Sequence, residues 1–196
     1  MPEPPFTLAD IDVLLGRSFD ASVNVGSREQ MSRTAQGLIS ETITRLAAPA
    51  TSSIMVDGTV YYMALGLRAG DVVSNIVIAV NSAGVGLTLS KVGLYSKTGT
   101  LLAQSAELGT AWQSTGIKVS ALTSPYTVLT DDGYYVAIVS KGGTLPTPIR
   151  TSTLNTVGNP VGAGIVPYAT QTGQVDLPSP GTPTLGTTIA YWCGVS

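Results

Sequence analysis

Two stretches of this chain constrain its fold more than any others: "GTVYYMALGLRAGD" (58–71) and "GYYVAIVSKGGTLPTP" (133–148). Each alternates side-chain size with period two, as a strand does when successive side chains point to opposite faces of a sheet. One parity is bulky: Tyr61, Met63, Leu65 and Leu67 in the first, Tyr134, Val136 and Ile138 in the second. That parity reads as a core face. The other parity holds Tyr62, Ala64 and Gly66, then Tyr135 and Ala137, where a solvent face would carry Lys, Glu or Thr. Tyr62, Ala64, Tyr135 and Ala137 are therefore expected to lie under a cover. Either a neighbouring subunit or the Pro/Gly-rich segment 144–186 can supply it.

Charge is scarce across the whole chain. Charged residues make up 11%, against about 25% in an ordinary soluble protein, and the mean hydropathy is +0.29. Membrane insertion is not expected, because the best apolar run, Val72 to Val80, contains Ser74 and Asn75; a spanning helix needs about 18 apolar residues or more. The opening "MPEPPFTLADIDVLL" carries acids and prolines in place of the basic lead of a secretion signal. A weakly charged, apolar chain of this kind hides surface in partners. Nucleic acid is not an expected partner: net charge is -2 and the basic residues form no cluster. Cys193 is the only cysteine, which excludes an internal disulfide and a cysteine-cluster metal site. Its neighbours in "IAYWCGVS" are strand-like, so it reads as a buried, inert thiol.

Composition divides the chain into an attachment arm, 1–50, and a body, 51–196. The arm holds ten of the 22 charged residues. In "TLADIDVLLG", Thr7 caps a first helix with Asp10 three residues on, Gly16 ends it, and Leu8, Ile11, Leu14 and Leu15 share a face. In "SREQMSRTAQGLISETITRLAAP", Ser27 and Gln30 form a capping box, and Pro49 bars continuation. Met31, Ala35, Leu38, Ile39, Ile43 and Leu46 form the stripe of this second helix, although Gly37 inside it costs about 1 kcal/mol relative to Ala. Both helices need a surface for their apolar stripes. On a docking arm, Ile11, Leu14, Leu15, Leu38 and Ile39 become the contacts.

From Thr59 the period switches to two. Strands are expected at 59–67, 72–80, 87–96, 100–105, 115–122, 126–129 and 133–140. "GLYSKTGTLLAQS" marks a hairpin with Gly99 in its turn, and "TDDGYY" a tight turn before a central strand. Short strands joined by Gly, Asp and Pro turns, with no helix between them, predict a mainly β fold, an antiparallel β-sandwich with a short helical arm. Segment 144–186 holds seven of the twelve prolines and six glycines. Its Leu145, Ile149, Leu154, Val161, Ile165, Val166, Leu177 and Leu185 indicate packing along the body. A C-terminal strand then closes the chain.

Chemistry has little to work with. There is no histidine, hence no Ser-His or Cys-His pair and no histidine-based metal site. Three of the four glutamates (Glu3, Glu29, Glu41) lie in the arm, which leaves no Glu pair for glycoside hydrolysis. Asp57, Asp71, Asp131, Asp132 and Asp176 read as turn residues. No catalytic residue, cofactor site or metal site is expected, and the chain reads as a non-enzyme. Three aromatics in loops are candidate glycan contacts: Trp112 in "GTAWQSTG", and Tyr126 and Tyr168 beside prolines. Trp112 also reads as a plug for one end of the sandwich.

The segments "GLYSKTGTLLAQS", "WQSTG" and "GYYVA", within residues 58–150, resemble the jelly-roll-type β-sandwich module of tailed-bacteriophage virion proteins. The module recurs in head-decoration, head-fibre and minor tail proteins. The resemblance implies a virion location, a homotrimer, and the major capsid protein or tail proteins as partners. In tail fibres such modules often bind host surface glycans, though the pattern transfers no sugar-binding residue. A short chain with one body, one arm and no long shaft favours capsid decoration or a head fibre. The alternative is a minor tail or tail-fibre receptor-binding protein. A carbohydrate-active enzyme or free lectin is a third reading, and the missing histidines and few carboxylates speak against its enzymatic half.

Overall fold

Eleven strands build two antiparallel sheets in the computed structural model, which describes residues 35–43, 52–150, 168–185 and 190–196. The central strands are β2 (Val60–Leu67), β3 (Val72–Ser82), β4 (Val85–Ser96), β5 (Leu101–Gln104), β6 (Gly116–Thr127) and β7 (Asp132–Thr144). β1 (Ser40–Glu41), β8 (Thr147–Pro148), β9 (Tyr168–Gln171), β10 (Thr184–Leu185) and β11 (Cys193–Val195) extend the sheets. One sheet runs β10-β9-β2-β7-β4-β5; the other runs β1-β11-β3-β6, with β8 beside β3. Among the described residues, the sole helical element between strands is a 3-10 turn, Ala111–Gln113.

Pairing is nested. β4 pairs with β5, β3 with β6 and β2 with β7, so each hairpin encloses the previous one. β4 then pairs along β7, from Val85↔Thr144 to Ser96↔Tyr134, and closes the roll. The bulky parity read from the sequence faces inward as expected. Tyr61, Met63, Leu65 and Leu67 of β2 join Val136 and Ile138 of β7, Ile76 and Ile78 of β3, and Val195 of β11 in one buried cluster. Two sheets sharing one core make the body β-sandwich-like.

Five of the seven expected strands are seen close to their expected ends. The exceptions, 115–122 and 126–129, meet in the single strand β6, which ends at Thr127. Pro125 reads as a break in sequence, but β6 lies at the edge of its sheet, where a proline costs no ladder hydrogen bond. A register shift opposite Val73 and Asn75 absorbs the irregularity.

The second expected helix requires correction. Ala35 is helical, but Gln36 and Gly37 form a turn, and Gly37 has φ +70. A left-handed glycine is a helix stop, so the residue counted as a flaw within the helix is its end. The compact body begins at Leu38, well before the composition shift near residue 51. Its first strand, β1, pairs with β11 through Ser40↔Val195 and Glu41↔Gly194. Thr42 N–H donates to Cys193 O (2.8 Å), and Cys193 N–H donates to Thr42 Oγ1 (3.0 Å). The first expected helix, with Ile11, Leu14 and Leu15, and Leu46 of the second lie outside the described residues.

Ile138 lies where the roll closes, opposite Tyr61 of β2 on one side and Val92 of β4 on the other. Ile138→Ala should cost about 3 kcal/mol through lost transfer energy and the cavity left behind. Urea unfolding would report this as a lower midpoint at unchanged m-value; a loss below about 1 kcal/mol would mean the site collapses freely.

Candidate interaction surfaces

The alternation of Tyr with small residues has a geometric reason. β2 and β7 are antiparallel neighbours in a register that sets Tyr62 opposite Ala137 and Ala64 opposite Tyr135. Each ring thus has a small residue across from it. β4 continues the two rows with Gly93 beside Ala137 and Tyr95 beside Tyr135. Tyr62 meets Tyr95 and Tyr135 edge to face, at centroid separations of 5.3 and 5.9 Å, a favoured aromatic geometry.

Residues 168–181 cover this face within the same chain. β9 pairs with β2 and sets Ala169 opposite Tyr62. Leu177 drops into the hole left by Gly93, where a Cβ would lie 2.9 Å from its Cδ1. Tyr62 Oη donates to Gln171 Oε1 (3.0 Å), and Tyr95 Oη donates to Pro178 O (2.8 Å). Gly181 N–H donates to Gly99 O (2.8 Å), which ties the strap to the β4–β5 turn. At the rim, Lys91 Nζ pairs with Asp176 Oδ2 at 2.7 Å. Tyr62, Tyr135 and Ala137 are buried, and Ala64 is half-buried. Burial pushes the Tyr62 hydroxyl up to about 12, outweighing the bond with Tyr95. Burial raises Tyr95 further, with Tyr62 and Asp176 adding to the rise.

The outer face of the other sheet is treated differently. Val77 and Ala79 of β3 pack with Leu38 and Trp192, joined by Ile43 and Ile149. Gly194 gives Leu38 its seat, since a Cβ there would meet Leu38 Cδ2 at 2.9 Å. Trp192 Nε1 donates to Glu41 Oε2 (3.0 Å). Leu38 and Ile39, expected on a docking stripe, therefore belong to the fold: Leu38 caps this face, and half-buried Ile39 packs against the main core. On β6, by contrast, Ile117 and Val119 remain exposed.

The three loop aromatics do not converge. Trp112 is fully buried in the main core, with its backbone N–H donating to Leu108 O (3.0 Å), so its ring faces are unavailable for stacking on a sugar. Tyr168 is buried in the same cluster, opposite Met63. Tyr126 keeps an exposed part while packing against the core.

Carboxylates at the described positions serve the backbone. Asp57 accepts from Gly142 N–H, Asp71 from Arg68 N–H and Asp131 from Ala69 N–H. Asp132 accepts from Gly133 N–H and pairs with Lys97 at 2.7 Å; the Lys97 bond is the main cause holding its carboxyl below the ordinary range. Asp176 accepts from Leu177 N–H (2.7 Å), and Glu107 Oε1 accepts from both Ser90 N–H (2.6 Å) and Gly109 N–H (2.8 Å). With Glu41 bound to Trp192, each of these acids fixes a turn, the strap or an edge. No three metal-ligating side chains gather among the described residues. Cys193 is buried, which pushes its thiol up. None of the helices described is long and apolar enough to cross a membrane.

Comparison with known proteins adds no relative: no protein-family model and no curated protein matches the chain. Sequence reasoning offered segment 144–186 as a cover and Leu177 as one of its packing residues, but missed the Gln171 partner of Tyr62, the seat of Leu177 over Gly93 and the exposed Ile117 and Val119. The shared parity of Gly93 and Tyr95 was the available signal for that seat.

Two measurements probe the strap. Leu177→Ala empties the hole over Gly93 and should cost about 2–4 kcal/mol, raising amide exchange in residues 168–181 before the roll opens. The second is pH. Tyr62 is neutral in the fold up to about 12 but ionises near 10 when unfolded. The folded state then holds the extra proton between those values, so its stabilising share is complete below 10 and is lost as pH rises towards 12. Melting temperature should fall across that window, and less steeply in Tyr62→Phe. An equal slope in the variant would remove Tyr62 from the account.

Proposed function

We propose that this chain is a non-enzymatic structural protein of a tailed-bacteriophage virion, displayed on the particle as a capsid-decoration or head-fibre protein and attached through its N-terminal arm. The observation that carries the reading is where the resembling residues lie. "GLYSKTGTLLAQS" forms the β4–β5 hairpin, Trp112 plugs the core, and "GYYVA" is the middle strand that closes the roll. The residues that carry the resemblance thus lie in the framework of the body, which supports the reading. The nested pairs β4:β5, β3:β6 and β2:β7 are the connectivity of a rolled hairpin, which supports the finer description of the sandwich as jelly-roll-like. Fold alone assigns no role. The non-enzymatic half draws support from the carboxylates of the described residues, which hold turns and the strap.

In this reading the partners are copies of the chain and the major capsid protein or tail proteins. The body closes from Leu38 onward, which leaves residues 1–37 as the attachment element. The tail-located alternative needs a glycan contact, and Tyr126 is the single one of the three aromatics that keeps an exposed part.

A fragment starting at Leu38 tests attachment. It should express as a folded β protein and be missing from particles that incorporate the full chain, as read by immunoblot of purified virions. Normal incorporation of the fragment would refute the arm's role. Absence of the full chain from particles would refute the virion reading itself.

A further inference from the structure

Among the described residues β6 is the long edge strand of its sheet, and half of its outer edge is unpaired. It pairs with β3 along one side. Its other side meets the body where Leu122 bridges Ser105 and where Thr123 Oγ1 donates to Gln104 O (2.9 Å). No described residue pairs with the outer edge of Gly116–Ala121. Soluble proteins usually blunt such edges with a charge, a proline or a bulge. In β6 the proline (Pro125) and the register shift against β3 lie beyond Ala121. The one charge before them, Lys118, is half-buried on the inward parity. Its ammonium turns back to donate to Ser114 Oγ (2.7 Å) and Thr115 O (3.1 Å).

The outward row on this edge is apolar and uncharged. Ile117 is 46% exposed and Val119 63% exposed, with Ala121 also exposed. Their neighbours across β3, Ala79 and Val77, are buried beneath the Leu38–Trp192 cluster. A continuous apolar strip therefore runs from under Leu38 to the open edge.

We propose that Ile117–Ala121 of β6 is the contact between two copies of this chain, paired antiparallel about a two-fold axis at Val119. An isologous contact must be self-complementary, and this register is. It sets Ile117 against the partner's Ala121, large against small, and Val119 against the partner's Val119. Lys118 falls opposite the partner's Ser120, so no like charges face each other. Neighbouring registers fail for stated reasons. Centring one residue earlier sets Lys118 directly against its own copy. Centring one residue later brings the partner against Leu122 and Thr123, whose outer side Ser105 and Gln104 already hold. The contact is two-fold, unlike the trimer implied by the resemblance. It stands on strand geometry and holds or fails independently of the virion reading.

Sedimentation of the full chain should give twice the 20.1 kDa chain mass. Val119→Lys places two ammonium groups at the axis and should sediment as a single chain with unchanged circular dichroism, its melting temperature losing the concentration dependence that dimerisation gives the wild type. Cysteine variants read the register with a short bismaleimide, to which buried Cys193 stays silent. Val119→Cys alone should cross-link, Ile117→Cys alone should not, and a mixture of Ile117→Cys with Ala121→Cys should. A wild-type chain that is monomeric at micromolar concentration overturns the proposal. So does an assembly of any size that Val119→Lys leaves intact or that Val119→Cys fails to cross-link.

Discussion

A sheet that is apolar on both faces must be covered twice, and the rest of this body follows from that constraint. β2, β7 and β4 turn one face to the opposite sheet and the other to a strap from the same chain. The strap fits because the sheet presents holes as well as rings: Ala137 and Gly93 lie where further large side chains would block Leu177. Magnitudes rank its contacts. Burying a leucine side chain contributes about 2 kcal/mol, whereas a rim ion pair such as Lys91–Asp176, with an aspartate side chain 48% exposed, contributes about 1 kcal/mol or less. Packing holds the strap down, and its polar bonds fix where it lies.

Much of the roll was legible in the sequence because β-strands and turns write local signals. Period two marked the strands, and Gly and Asp marked their ends. What was not legible depended on partners distant in the chain. The interlock of Tyr62 with Ala137 is a register between strands far apart in sequence, so the tyrosine face was readable as covered while its cover stayed open between two sources. The helix expected through Leu38 and Ile39 shows the limit from another side. Its stripe has helical spacing, yet Leu38 and Ile39 belong to an extended segment, because Gly37 ends the helical turn and β11 offers Ser40 and Glu41 a ladder. Apolar residues at helical intervals do not specify a helix when a sheet edge is in reach.

The scarcity of charge in this protein is matched by how its carboxylates are placed. Backbone N–H groups at turns need acceptors, and at the described positions aspartates and one glutamate supply them, to exposed groups such as Arg68 and Ala69 and to buried ones such as Ser90 and Leu177. Glu107 binds two such groups at once and holds the loop that carries Trp112 against the core. Each of these acids thus has a structural task at its turn. The candidate glycan aromatics were misleading for a related reason, since Trp112 and Tyr168 stand in loop-like sequence and still point into the core.

The two outer faces of the sandwich are closed to different degrees by different means. On the β2–β7–β4 side, residues 168–181 bring a leucine, a proline and several backbone groups, enough to bury Tyr62 and Tyr135. On the β3–β6–β11 side, the segment from Leu38 to Ile43 covers Val77, Ala79 and Trp192 but leaves Ile117 and Val119 open. An apolar strip continuous with a covered one is under the same physical pressure to leave water, and here it ends at backbone that no described residue pairs. Lys118, the residue best placed to guard that edge, is turned away to Ser114 and Thr115. The tyrosine side is covered within one chain, whereas on this side no described residue covers Ile117 and Val119.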